Sequence, residues 1–387
     1  MTGRFDRERL AAFAERTRID AETTAALLAC IDRLARDGEA MALLDTLADA
    51  LVAKPRVDAM AAVTDAQLES RFGGDTLLIH LALALGEMPS GDERHRSRGI
   101  DTQVSDDTWR DISLWTSHFR ERFGLLGITR EILDWAQYYL RGEVYRVGAL
   151  QWELRAFDGP FVALRHRETR ETRLVAAADT RFTSDGRAVL SGEAAHSTAA
   201  VWRAEMSRAD GSITGHPIDE HGQALRTRER FDAAVWETVL ESGMPMLDMH
   251  IPADARIGLP EFVEATRAAR AFFARLHPDV TWHGLFGEAW LLDPQIRALL
   301  PHHGGLAAIQ SACQLYPGHI PEAKTIRRIF GPDATRASLR HASRERFNSL
   351  QRAVAAFLDD PSRSLRAAGG LVLNDRIAML TSLVEES

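Results

Sequence analysis

The feature that most constrains this chain is a change of periodicity near residue 140. From Asp6 to about Leu140 apolar residues recur at helical spacing, as in Leu27, Ile31 and Leu34 and again in Leu43, Leu47 and Leu51. After Arg141-Gly142 the texture turns to short runs, Val144 to Leu154, Phe161 to Arg165, Thr172 to Ala176 and Val201 to Met206. Asp158-Gly159-Pro160, Ser184-Asp185-Gly186 and Asp210-Gly211 stand between them as turns, so the runs read as a meander of antiparallel strands. A chain of 387 residues has room for two domains. The expected fold class is therefore α+β, with an all-α domain over 1–140 and a mixed α/β domain over 141–387.

Breaks at Asp37-Gly38, Lys54-Pro55, Gly73-Gly74 and Pro89 to Gly99 divide the first domain into five to seven expected helices. In the second, Phe231 to Glu241 reads as helical, Met246 to Ile251 as a strand, Leu259 to Leu276 as a helix opened by Pro260, and Thr281 to Ala289 as another strand. Strand, crossover helix and strand imply a parallel pair with a right-handed connection. Asp293-Pro294 begins a further helix, Arg344 to Leu358 forms one with Phe347, Leu350, Val354 and Phe357 on a single face, and Gly369-Gly370 precedes a last strand at Leu371 to Leu373.

Charge narrows the function classes. Residues 1–140 carry −7 of the formal net charge of −8, and the remaining arginines are spread among acids. Without a dense basic tract, neither nucleic acid nor an anionic membrane surface is an expected partner. Cys30 and Cys313 are the only cysteines and lie far apart, which points to buried thiols rather than a disulfide framework. The charged start, Met1 to Glu8, has no signal-peptide pattern, and the longest apolar run, Leu77 to Leu85, is interrupted by His80 and short of the ~20 residues of a membrane span. The expected location is cytoplasmic.

Phosphate-loop, zinc-protease, nucleophile-elbow and dinucleotide-binding motifs are absent. Attention falls on Met246 to Asp293. Strand alternation puts Leu247, Met249 and Ile251 on one face and Met246, Asp248 and His250 on the other. A carboxylate beside an imidazole can fix its tautomer and raise its basicity; the plainer reading is a structural hydrogen bond. On the second strand Trp282, Gly284, Phe286, Glu288 and Trp290 share a face, which makes Glu288 either a desolvated general base or a strand-end carboxylate. The loop Ala253 to Gly258 leads into a helix beginning Leu259-Pro260-Glu261, where free N–H groups with Arg256 could face a phosphate, or where Glu261 simply complements the helix end. His302-His303 has no partner at ligand spacing, so no metal site is expected.

Several stretches together resemble a known family. Gly148-Ala149-Leu150-Gln151-Trp152-Glu153, Gly215-His216-Pro217-Ile218 through Gly222, His250-Ile251-Pro252, a helix with Ala269, Arg270, Phe272 and Phe273, then Trp290-Leu291-Leu292-Asp293-Pro294-Gln295, Ser349-Leu350-Gln351-Arg352 and Gly369-Gly370 occur in the family's order. They are similar to the acyltransferases in which a helical N-terminal domain precedes a GNAT-like C-terminal domain. That resemblance implies a splayed pair of parallel strands with an acyl-CoA between them, here between Asp248-Met249-His250 and Phe286-Gly287-Glu288. It implies acyl transfer from acyl-CoA (acetyl-CoA included) or another thioester to a small-molecule amine or hydroxyl, with no permanently bound cofactor. Glu288 is then the first candidate base and His250, oriented by Asp248, the second, while Tyr316 either protonates the departing thiolate or is simply packed. Met249, Ile251, Arg256, Ile257, Gly258 and Leu259 would line the acyl-CoA. The loop departs from the family of GNAT folds in lacking the glycine-rich cradle, and Ala289 stands where a serine is expected. A non-catalytic binding protein using the same cleft, or a hydrolase using Glu288 and His250, are the alternatives; a homodimer and the role of the helical domain are left open.

Overall fold

A computed structural model describes residues 3–53, 65–189, 201–255, 258–299, 304–366 and 368–385. The chain divides into two compact units, Met1–Glu153 with Ile251–Ala255, and Leu154–His250 with Arg256–Ser387.

The first unit holds α1 (Arg7–Thr17), α2 (Ala21–Leu34), α3 (Gly38–Val52), α4 (Asp65–Phe72), α5 (Thr76–Ser97), α6 (Thr102–Phe123) and α7 (Arg130–Leu140). Aspartates begin many of them: Asp6, Asp20, Asp37 and Asp101 each accept a backbone N–H from the first turn of the helix that follows. Asp37-Gly38 is thus a break in the expected place, whereas Lys54-Pro55 lies outside the described residues. The expected break from Pro89 to Gly99 is not one, because α5 runs through Pro89 to Ser97. Pro89 removes one amide donor, and the loss is outweighed by burial of nearly every side chain from Leu78 to Met88. Gly91 then lets Trp109 pack against the helix, since a Cβ there would lie 2.5 Å from the indole. Asp111, buried in the same core, is satisfied by the Tyr139 hydroxyl (2.7 Å) and the Trp115 indole N–H (3.0 Å).

Val144 to Leu154 is two strands rather than one. Gly148, at φ +68°, turns β1 (Val144–Val147) back on β2 (Leu150–Ala156), with Val147 paired to Leu150. A left-handed residue here is natural for glycine.

The second unit continues with β3 (Phe161–His166), β4 (Thr172–Ala176), β5 (Arg181–Thr183), β6 (Val201–Arg203), β7 (Ser207–Ala209), β8 (Ser212–Gly215) and β9 (Pro217–Ile218). Next come β10 (Glu229–Asp232), β11 (Trp236–Leu240), β12 (Pro245–His250), α8 (Leu259–Leu276) and β13 (Gly284–Ala289). After these come α9 (Pro294–Leu299), α10 (Gly304–Ala312), β14 (Gln314–Pro317), α11 (Glu322–Phe330), α12 (Arg336–Leu339), α13 (Ser349–Leu358), β15 (Ala368–Leu373) and α14 (Asn374–Glu385). An antiparallel sheet has the order β11-β3-β4-β9, and β12, β13, β15 and β14 lie side by side in that order. Only β12 and β13 in the latter group are parallel, joined by α8 as the strand, helix, strand reading requires.

Three local expectations fail here for identifiable reasons. Phe231 to Glu241 is not a helix but β10, a turn and β11: Trp236, Thr238 and Val239 favour an extended backbone, and β3 supplies the partner, His166 opposite Trp236. The helix expected from Arg344 begins at Ser349, because Asn348 caps it and accepts the N–H of Gln351. Gly369-Gly370 lies inside β15 instead of before it. A Cβ at residue 369 would collide with the Tyr316 ring, and one at residue 370 would crowd Cys313 at 3.0 Å.

The core under β12, β13, β14 and β15 is built by Phe157, Phe161, Met246, Phe286, Tyr316 and Leu371. Among the described residues no helix is long and apolar enough to cross a membrane.

Candidate active site

The parallel ladder is short. Leu247 pairs with Leu285 and Asp248 with Phe286, and both strands continue past that point, to His250 and to Ala289. Gly287 follows the last of these pairs, and the two backbones are still close there: a Cβ on it would come within 2.5 Å of the Met249 carbonyl oxygen. On its other edge β13 pairs with β15, and Gly369 is opposite both Glu288 on β13 and Tyr316 on β14. The bare Gly369 backbone is what allows Tyr316 to lie across that position.

Asp248 and His250 share a face as expected, but their contact differs from the expected one. Asp248 Oδ1 is 3.8 Å from His250 Nε2, beyond hydrogen-bond length. The tight partner of Asp248, which is only 6% exposed, is Arg155, whose Nε donates to Oδ2 at 2.8 Å. Arg155 also pairs with Asp158 at 2.9 Å and lies over the Phe286 ring at 4.6 Å. Burial alone would lower the Arg155 pKa, and Asp248 with Asp158 more than reverses it, so the guanidinium sits above its ordinary value. Arg155 had no signal of its own in the sequence, being one arginine among many.

Glu288 is a partnered carboxylate, a contact that its place on the strand did not foretell. His319 holds both carboxylate oxygens: its backbone N–H donates to Oε2 at 2.8 Å and its Nδ1 lies 2.9 Å from Oε1. The hydrogen bond to Glu288 raises the His319 pKa above its ordinary value; burial opposes this, and Asp158 adds to the rise. His319 was missed because nothing in its spacing connects it to Glu288. Its one visible signal is the segment Pro317-Gly318-His319-Ile320-Pro321, a polar residue in a proline-stiffened loop leaving a strand.

Tyr316 is fully buried, with its ring 4.8 Å from that of Phe161. Burial first, then the negative charges of Glu288 and Asp248, push its pKa well above the ordinary value, so the hydroxyl keeps its proton. Of the expected acyl-CoA contacts, Met249 is buried, Ile251 and Leu259 are half-buried, and Arg256 and Ile257 lie outside the described residues. Gly258 caps α8, and its N–H is taken by Glu261 Oε2 at 2.9 Å. In the first unit, Asp254 of the loop pairs with Arg146 at 3.0 Å. Asp293, prominent in the Trp-Leu-Leu-Asp-Pro run, is buried and structural: it accepts N–H groups from Gln295 (2.9 Å) and Arg366 (2.6 Å). Burial raises its pKa despite those bonds.

Comparison with known proteins adds to this geometry. Residues 144–372 match the family model described as a GNAT-like C-terminal domain, and residues 8–142 match an N-acyltransferase N-terminal domain. No curated protein matches the chain. Among solved structures it is similar to an acyltransferase mutant in complex with octanoyl-CoA, at 18% identity and a TM-score of 0.59, covering 95% of this chain and 88% of that one. An acyltransferase in complex with decanoyl-CoA and teicoplanin has the same identity, TM-score and coverage. One in complex with CoA and 10C-teicoplanin has 18% identity and a TM-score of 0.58, covering 93% and 86%. The structural likenesses establish the fold, and the GNAT-like match extends over more than half of the sequence. The chain belongs to the acyltransferase family that joins an N-acyltransferase N-terminal domain to a GNAT-like C-terminal domain.

Proposed function

We propose that this protein moves an acyl group from acyl-CoA to an amine or hydroxyl of a small molecule, by direct attack with general-base assistance. The observation that carries the reading is the Glu288–His319 pair at the end of β13, just past the last register pair with β12. Direct acyl transfer needs a proton acceptor beside a gap that aligns thioester and nucleophile, and no covalent enzyme intermediate. The site's position supports this, as does the crystallisation of structurally similar acyltransferases with octanoyl-CoA, decanoyl-CoA and teicoplanin. The octanoyl-CoA, decanoyl-CoA and teicoplanin in those complexes favour a medium-chain acyl donor and an amine- or hydroxyl-bearing acceptor of the glycopeptide class.

The chain would hold the acyl-CoA without a glycine-rich cradle. Arg155 and Asp248 brace the β12 side of the gap, while Met249 contributes apolar surface. The test is a panel of acyl-CoAs of increasing chain length with amine, hydroxyl and glycopeptide acceptors, monitored for free thiol and for acylated product by mass. Thiol released in step with acylated acceptor is expected. Thiol released at the same rate without acceptor would identify a hydrolase. The absence of both binding and thiol release across the whole acyl-CoA panel would refute acyl transfer.

A further inference from the structure

The geometry points to His319, not Glu288, as the group that receives the acceptor's proton, with Glu288 as its positioning residue; this rests on the acyl-transfer reading. Glu288 has both oxygens engaged by His319, one by the backbone N–H at 2.8 Å and one by Nδ1 at 2.9 Å. An ionised carboxylate can only accept, so Nδ1 carries the hydrogen and the lone pair resides on Nε2. The two side chains also differ in access. His319 is 41% exposed and Glu288 23%, so the imidazole is the part an acceptor meets first. Its backbone is placed by Pro317, which pairs with Ala368 at the end of β14, and by Pro321, which caps α11. The carboxylate therefore orients a ring whose outer nitrogen is chemically competent.

The groups bearing on the ring come from several elements. Glu288 reaches it from β13 and Asp158 from the turn before β3, while Tyr316 on β14 feels Glu288 and Asp248 together with Arg155. In the step, the acceptor N–H or O–H bond breaks and its proton passes to His319 Nε2. The nucleophile forms a bond to the thioester carbonyl carbon, the C–S bond breaks with its electron pair going to sulfur, and the imidazolium returns the proton to the CoA thiolate. Buried Tyr316 is not needed as the acid.

Substituting asparagine separates the two assignments, because its side-chain amide takes the place of Nδ1 and can keep the bond to Glu288 while Nε2 is removed. For His319→Asn we expect kcat to fall about 10²-fold or more, the usual contribution of a general base, with acyl-CoA affinity unchanged and the imidazole limb of the pH–rate profile lost. A kcat within about threefold of wild type would overturn the assignment and return the role to Glu288. Should that variant fail to fold, Glu288→Gln decides. If His319 is the base, the limb survives at lower pH, since the charge that raises the imidazole pKa is gone; if Glu288 is the base, the limb disappears. An inactive wild-type protein across the whole acyl-CoA panel would instead refute the acyl-transfer reading and this assignment with it.

Discussion

His95 lies in the core of the helical unit at 1% exposure, and it should make that unit sensitive to acid. Its Nδ1 is 2.9 Å from the Ser105 hydroxyl, its Nε2 is 3.2 Å from the Tyr139 carbonyl, and its ring stacks on Trp109 at 5.3 Å. Burial pulls its pKa down to about 4 from an ordinary 6.5, with the Tyr139 carbonyl opposing. Between those values the unfolded chain holds more protons than the folded one, so stability rises with pH across the window and is lost as pH falls through it. Integrating over the two pKa values gives a loss of about 2 kcal/mol between about pH 7.5 and about pH 5, levelling at roughly 3 kcal/mol below the folded pKa. The perturbation is His95→Gln, which removes the titrating ring and retains an amide for the Tyr139 carbonyl. Because the chain has two units, the measurement is amide hydrogen exchange of peptides within Thr76–Ser97, read at both pH values for wild type and variant. Every other titrating group cancels in the double difference. A double difference below about 0.5 kcal/mol would refute the claim that His95 is held neutral by burial.

Two further substitutions test the packing. Gly369→Ala places a methyl group into the Tyr316 ring, next to Glu288 in register, and should lower stability by about 1–3 kcal/mol and reduce acyl transfer with it; a thermal midpoint equal to wild type would contradict the close approach. Arg4→Ala leaves Glu87, fully buried and 2.5 Å from the Arg4 guanidinium, without its ion-pair partner. Because Arg4 keeps 27% of its side chain in solvent, the expected loss is about 1–3 kcal/mol, less than the roughly 3–5 of a fully buried pair. Urea unfolding should show Glu87→Gln recovering part of it in the double variant, and no recovery would mean that the pair contributes nothing.

What the residues alone determine here is local and periodic. Leu27, Ile31 and Leu34 mark a helix wherever the chain goes, aspartates at residues 6, 20, 37 and 101 mark where helices begin, and Leu259 to Leu276 between two apolar runs marks a crossover helix between parallel strands. The ordered motifs from Gly148 to Gly370 were enough to point to the family. The Asp248 and Glu288 positions were also legible, since strand alternation settles which side chains share a face. Their partners were not. Arg155 meets Asp248 and His319 meets Glu288 through pairing of distant strands, and the spacing along the chain holds no trace of either contact. The same holds for Phe231 to Glu241, which becomes two strands because β3 and β8 are there to pair with, and for Gly369-Gly370, which reads as a breaker until Tyr316 is seen lying across it. Periodicity is set by the geometry of a single chain segment, whereas hydrogen-bond partners and close approaches are set by which segments the fold brings together; the sequence therefore singled out two acids as candidates, and only the tertiary structure decided what holds each of them.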